Sequence, residues 1–297
     1  MMEEYLGQKL SNLYGKAPRI GISRGDRVVV FSDLHMGDGS HGDDFRSTSS
    51  PFKSILDRYY FDRGFKLVLN GDVEDLHKFI LKRVMNKWRS VYDIFDRFLH
   101  ETALYKMLGN HDWDAFMQFP HYLGIKHYNT LRMEHPEGSL FFLHGHQASP
   151  FIEKLKSLNR LVASRIQGPL GVSNLSLKIN KTNVRPIERR LSNLSLGEGV
   201  LTFMGHTHKP HFGFLTSMPG VFNSGCAMGN KGISALEIEN DRVSLVHWID
   251  SKMLKFYYKV RDLSSLRIKG IESYRMVLDT EPLRNVFRSL DYASAVA

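Results

Sequence analysis

Five short polar motifs carry the residues of this chain that could do chemistry: Asp33-Leu34-His35, Gly71-Asp72, Gly109-Asn110-His111-Asp112, His144-Gly145-His146 and Gly205-His206-Thr207-His208. Their carboxylates, imidazoles and one amide oxygen make a mixed oxygen and nitrogen donor set without thiolate. Such a set suits Mn, Fe, Zn, Co or Ni better than calcium alone, and it argues against an all-oxygen magnesium cage. Seven candidate ligands, Asp33, His35, Asp72, Asn110, His144, His206 and His208, are too many for one tetrahedral metal that must keep an open position. They fit two metals that share one carboxylate. Taken singly, each motif could be an ordinary turn, and Gly-Asp alone carries almost no weight. The weight lies in five such motifs standing in order at the ends of apolar runs.

Those runs define the elements that must position the motifs. RVVVFSD (27–33), FKLVLNGD (65–72) and ALYKMLGNHD (103–112) each read as a buried strand feeding a polar loop. The gaps from Asp33 to Asp72 and from Asp72 to Asn110 are 39 and 38 residues, each long enough for one strand-helix-strand unit. Helical spacing of apolar residues over 52–63 and again up to about His100 supplies the crossovers. The three loops would then meet at the carboxyl edge of one sheet, where open α/β sheets bind their ligands. After residue 112 the pattern changes to strands joined by turns, in TLRMEH, SLFFLHGH, VLTFMGHTH, VFNSGCAM, GISALEI and RVSLVHWI. A βαβα half followed by a largely β half predicts an α/β sandwich with a mixed sheet.

Composition sets the class. The chain has 297 residues, 42% apolar and 24% charged, with a formal net charge of +9, which excludes disorder, collagen and coiled coil. One cysteine, Cys226, rules out an internal disulfide framework and any CxxC metal site. Neither a secretory signal nor an apolar run of membrane-spanning length is evident, so a cytoplasmic protein is expected. Residues 147–199 stand apart, because nine Lys and Arg against three Glu give them +6, most of the total. Phe151, Leu155, Leu158, Val162 and Ile166 repeat there at helical spacing among basic residues. The segment therefore reads as a helical insertion or lid on a domain spanning 1–260, with 261–297 as a C-terminal tail.

The five motifs resemble the signature DxH, GDxxD, GNH(D/E), H, GHxH of the calcineurin-like metallophosphoesterases, matched by SDLH (32–35), GDVED (71–75), GNHD (109–112), HGH (144–146) and GHTH (205–208). The resemblance implies a β-sandwich flanked by helices in four αββα layers. It implies two divalent metals, Mn foremost and Fe, Zn or Co as alternatives. Asp33, His35 and His208 would hold the first and Asn110, His144 and His206 the second, with Asp72 bridging. His111 would be the acid near the leaving group, and Asp112 the carboxylate orienting it. The segments after DLH, HGH and GHTH look more like the UDP-2,3-diacylglucosamine pyrophosphatase group, which implies hydrolysis of a lipid-linked sugar nucleotide in lipid A biosynthesis. On that reading His146, Lys154 and Arg160 would bind substrate, and 147–199 would touch acyl chains or a membrane surface. GDVEDLHKF lacks the Arg of protein Ser/Thr phosphatases, and His111 stands where proteobacterial members of the pyrophosphatase group often carry Arg. Two rivals stay open: a nuclease or cyclic-nucleotide phosphodiesterase, which +9 also suits, and a metal-free protein-binding scaffold.

Overall fold

A computed structural model describes residues 2–112, 124–150, 184–229, 232–258, 268 and 270–296. The β-branched run after Arg27 forms β2 (Val28–Phe31), which is followed in parallel by β3 (Lys66–Asn70), β4 (Leu104–Met107) and β5 (His127–Tyr128). On the other side of β2 lie the antiparallel strands β10 (Ile233–Glu239), β11 (Arg242–Ile249) and β12 (Tyr274–Pro282), completing a seven-stranded sheet. A second sheet has five strands in the order β1 (Arg19–Gly21), β6 (Thr130–His135), β7 (Gly138–Leu143), β8 (Leu201–Met204) and β9 (Val221–Asn223).

Side-chain alternation along β2 separates two cores. Val28 and Val30 face Leu131, Leu140, Phe142 and Phe203 of the second sheet, while Val29 and Phe31 face the helices behind the first. Those helices are α2 (Ser49–Ile55), extended by a π-turn over Leu56–Phe61, α3 (Leu81–Lys87) and α4 (Arg89–Glu101). The outer face of the second sheet is covered by α1 (Met2–Lys16) and α5 (Val184–Glu198), with Leu10, Ile187, Leu191 and Leu194 packed on Phe141, Leu143 and Met204. The four layers expected from the motif resemblance are thus present. Where the sequence predicts one helix up to His100, Trp88 separates α3 from α4, and its indole N–H donates to Asp43 at 3.0 Å.

Two boundaries read from the sequence differ. The last part of the expected tail belongs to the body: β12 pairs along the whole of β11, and α7 (Leu283–Val296), which follows α6 (Ser251–Tyr258), buries Leu283, Val286 and Leu290. Without β12 the outer edge of β11 would be left unpaired, and buried Glu237 would lose its ion pair with Arg275. Likewise, 184–198 of the expected insertion form α5 on the sandwich, and Gln147, Ala148 and Ser149 are buried. Residues 151–183, including Lys154 and Arg160, lie outside the described residues.

At the carboxyl ends of their strands the Asn70 side chain ties the first sheet to two strands of the second. Asn70, the last residue of β3, donates from Nδ2 to the carbonyls of Leu143 (3.0 Å) and Phe203 (3.1 Å) at the ends of β7 and β8. Asn70→Ala should strand two buried carbonyls and cost at least about 2 kcal/mol of stability, read as a lower urea midpoint at unchanged m-value.

Candidate metal centre

Each motif lies in the loop immediately after its strand: Asp33 after β2, Asp72 after β3, Asn110 after β4, His144 after β7 and His206 after β8. The site therefore sits where both sheets end, not at the edge of one. Backbone N–H groups of Asp33, His35 and Met36 donate to the carbonyls of Gly71, Asp72 and Val73, so the first two motif loops run side by side. Asp33, His35, Asp72, His206 and His208 all have left-handed backbone, with φ between 50° and 67°. They account for five of the eight non-glycine residues with positive φ among those described. Each such residue costs on the order of 1 kcal/mol or more and persists only where its surroundings over-determine it. Two glycines meet that need by close approach. A Cβ on Gly109 would lie 2.0 Å from Asp72 Oδ1, and one on Gly205 would lie 2.4 Å from Asp33 Oδ2.

The carboxylates divide their oxygens between scaffold and site. Asp72 Oδ1 accepts the His111 amide (2.8 Å) and Asp33 Oδ2 the His206 amide (2.9 Å), which turns the other oxygen of each toward the histidines. Asp33 Oδ1 is 3.1 Å from His208 Nε2 and 3.8 Å from His35 Nε2. Asp72 Oδ2 lies between the two groups, 3.1 Å from His144 Nε2 and 3.8 Å from His35 Nε2. His144 Nδ1 is bound to the Asn70 carbonyl at 2.9 Å, so its Nε2 is the nitrogen offered to the centre. Asp33, His35 and His208 thus form one set able to hold a cation, and Asp72, His144 and His206 another. Asn110 stands between Gly109 and His111, both against Asp72, and its buried Oδ1 has no hydrogen-bond partner. Asp33 Oδ1 and His144 Nε2 are likewise buried without hydrogen bonds, despite their close charged neighbours. Three orphaned donor atoms converging with four imidazole and carboxylate partners fit two divalent cations of borderline hardness.

Charge is balanced within the cluster. Burial pushes Asp33 and Asp72 up, but His208 and His144 outweigh it for Asp33, and His144 and His111 for Asp72, so both stay ionised. His144 is lowered by burial and raised more strongly by Asp72 and Asp33, reaching about 10. His208 is raised in the same way, by Asp33 against burial, whereas burial and the His144 charge push His206 down to about 3.

His111 lies beside this cluster, its ring edge-on to His35 with centroids 4.6 Å apart. Its orienting carboxylate is not the expected Asp112. His111 Nδ1 pairs with Asp75 Oδ1 at 2.8 Å, and Asp75 is braced by Lys78 Nζ at 2.8 Å. Asp112 is fully buried and occupied with the backbone, accepting from Gly109 N (2.6 Å) and Val73 N (3.1 Å), and burial pushes its pKa up to about 7. His77, which no motif contains, lies against His111 with ring centroids 4.3 Å apart and planes tilted by 34°. The expected substrate residue His146 is buried near His144 and His206, with ring centroids 5.6 and 6.4 Å away. Asp43, outside the five motifs, accepts the Gly37, Gly39 and Phe45 amides and holds the loop that follows His35.

No protein-family model and no curated protein matches the chain. Among solved structures it is similar to Vacuolar Protein Sorting 29 from Cryptosporidium parvum, at 14% identity over 87% of this chain and 98% of that one, with a TM-score of 0.42. A dimetal phosphatase from Danio rerio is similar at 10% identity over 74% of this chain and 95% of that one, TM-score 0.44. A 5'-nucleotidase from Candida albicans is similar at 13% identity over 95% of this chain and 60% of that one, TM-score 0.37. These likenesses are distant, and the case for function stands on the geometry of the site. Among the described residues no helix is long and apolar enough to cross a membrane.

Ligation through Nε2 requires a neutral imidazole, and His144 is protonated at pH 7.5 when its pKa is about 10. Adding Mn²⁺ to metal-free protein at pH 7.5 should therefore release about one proton or more per chain, measurable by calorimetry in buffers of different ionisation enthalpy. Asp72→Asn should reduce that release, because the His144 ring loses its principal counter-charge.

Proposed function

We propose that the chain is a dinuclear metal-dependent hydrolase of phosphate esters or anhydrides. The observation that carries this reading is the placement of Asp72, whose Oδ2 lies between the Asp33, His35, His208 set and its own set with His144 and His206. Asn110 would complete the second set. Two divalent cations held there would stabilise charge on phosphoryl oxygens and lower the pKa of an attacking water.

The chain's own contribution is positional and protic. Asp33 and Asp72 are fixed by backbone donors at one oxygen each, so the centre is built before substrate arrives. His111 donates Nδ1–H to Asp75, leaving Nε2 as the atom that carries a transferable proton. Burial lowers the His111 pKa, but the Asp72 and Asp75 charges raise it above the ordinary value, which favours the protonated ring that would deliver a proton to a leaving-group oxygen.

Within this class, the motif resemblance supports a UDP-2,3-diacylglucosamine-like substrate, whose anionic groups the basic composition of residues 151–183 would suit. The net charge of +9 supports a second reading, a nuclease or cyclic-nucleotide phosphodiesterase. Assay of a UDP-linked acyl sugar, bis-p-nitrophenyl phosphate and oligonucleotides separates them, since the lipid reading requires detergent-dependent activity and the nucleic-acid reading a steep salt dependence. Asp72→Ala should abolish hydrolysis of all three; full activity with unchanged metal content would contradict the dinuclear reading. His111→Ala should lower kcat by ~10²- to 10⁴-fold on a poor leaving group and far less on a nitrophenyl ester. Asp75→Asn should reproduce that selectivity, and Asp112→Asn should not.

A further inference from the structure

We infer that Thr207, gripped by Glu188 of α5, is the positioning residue that sets where His206 and His208 point, so that α5 governs the metal affinity of both halves of the centre. This rests on the dinuclear reading above.

Thr207 separates two histidines that serve different sets, His206 with Asp72 and His144, and His208 with Asp33 and His35. Both flanking residues have left-handed backbone, with φ of 67° and 56°, and the turn is closed by Thr207 N on the Gly205 carbonyl at 2.7 Å. A shift at Thr207 would therefore turn both imidazoles at once. Its hydroxyl has one proton and gives it to Glu188 Oε1 at 3.2 Å. Asn223 Nδ2, at 2.7 Å, must then be the donor to the same oxygen. Asn223 cannot flip, because its Oδ1 accepts the Gly225 amide (2.8 Å) and its Nδ2 also donates to the Gly205 carbonyl (3.0 Å). The hydroxyl is thus held from two sides, by β9 through Asn223 and by α5 through Glu188, a carboxylate only 5% exposed.

The same helix also reaches the other histidine loop. Arg190 Nη1 donates to the Ala148 carbonyl at 2.9 Å, four residues beyond His144. One helix thereby fastens the loops that supply His144, His206 and His208. It is also the helix that follows directly on residues 151–183, the core of the basic insertion.

The test is a titration of full-length, metal-free protein with Mn²⁺ against a competing chelator, alongside thermal unfolding. Thr207→Val keeps the shape and removes the hydroxyl; both equivalents should bind ~10- to 100-fold more weakly, and Thr207→Ser should restore binding to within a few-fold of wild type. Should Thr207→Val fail to fold, Glu188→Ala carries the test, with the same weakening expected. Ser195→Ala on the same helix, which removes a buried hydroxyl contact to Thr202 of β8 (2.8 Å), should lower stability while leaving affinity within a few-fold of wild type. Unchanged affinity in Thr207→Val, failure of Thr207→Ser to rescue, or an equal loss in Ser195→Ala would overturn the inference. Wild-type protein that binds no metal would overturn the dinuclear reading and the inference together, whereas two tight equivalents in wild type and variants alike would overturn the inference alone.

Discussion

Asp33 and Asp72 are buried carboxylates, and a buried charge costs several kcal/mol unless it is paired and hydrogen-bonded. Each meets that cost by holding one oxygen against a backbone N–H and turning the other on imidazoles. Much else around the site follows from this division. The left-handed backbone at five candidate ligand positions and the absence of a Cβ at Gly109 and Gly205 are what bring the loops within reach of those oxygens. In the metal-free chain His144, whose pKa is raised to about 10, supplies compensating charge. A cation would take over that role, and the histidines would change from counter-ions to ligands.

The sandwich explains why the carboxylates and histidines can converge. The first sheet delivers the oxygen-rich loops from three parallel strands, and the second delivers the histidine loops from β7 and β8. Asn70 then fixes the separation, because the amide that bridges the sheets belongs to the residue whose carbonyl orients His144. Fold and site share that bond network. Damage to the inter-sheet contact is therefore damage to the centre.

Much of this was legible in the amino-acid sequence because its signals are local. A β-branched run ending in Asp-x-His or Gly-Asp announces both a buried strand and a polar loop, and the change of periodicity after residue 112 announces an α/β sandwich with a mixed sheet, whose four-layer order is what the motif resemblance implies. Properties set by long-range approach were not legible. Asp112 neighbours His111 in the chain, yet the carboxylate that reaches the ring is Asp75, 36 residues away. Asn70 looked like the end of an apolar strand; only the second sheet gives its amide two carbonyls. Tyr274–Pro282 alternates weakly, and its place as an edge strand depends on β11 beside it. The boundary of the insertion failed similarly, since Ile187, Leu191 and Leu194 are shown to be core only by the sheet they cover.

The claim on which the account stands is that two metals share Asp72. Crystals of the protein grown with Mn²⁺ and measured at its absorption edge test it most directly. Two anomalous peaks are predicted, one among Asp33, His35 and His208 and one among Asn110, His144 and His206, with Asp72 in contact with both. A single peak, or a peak held by His35, Asp75 and His111 in place of either, would contradict it.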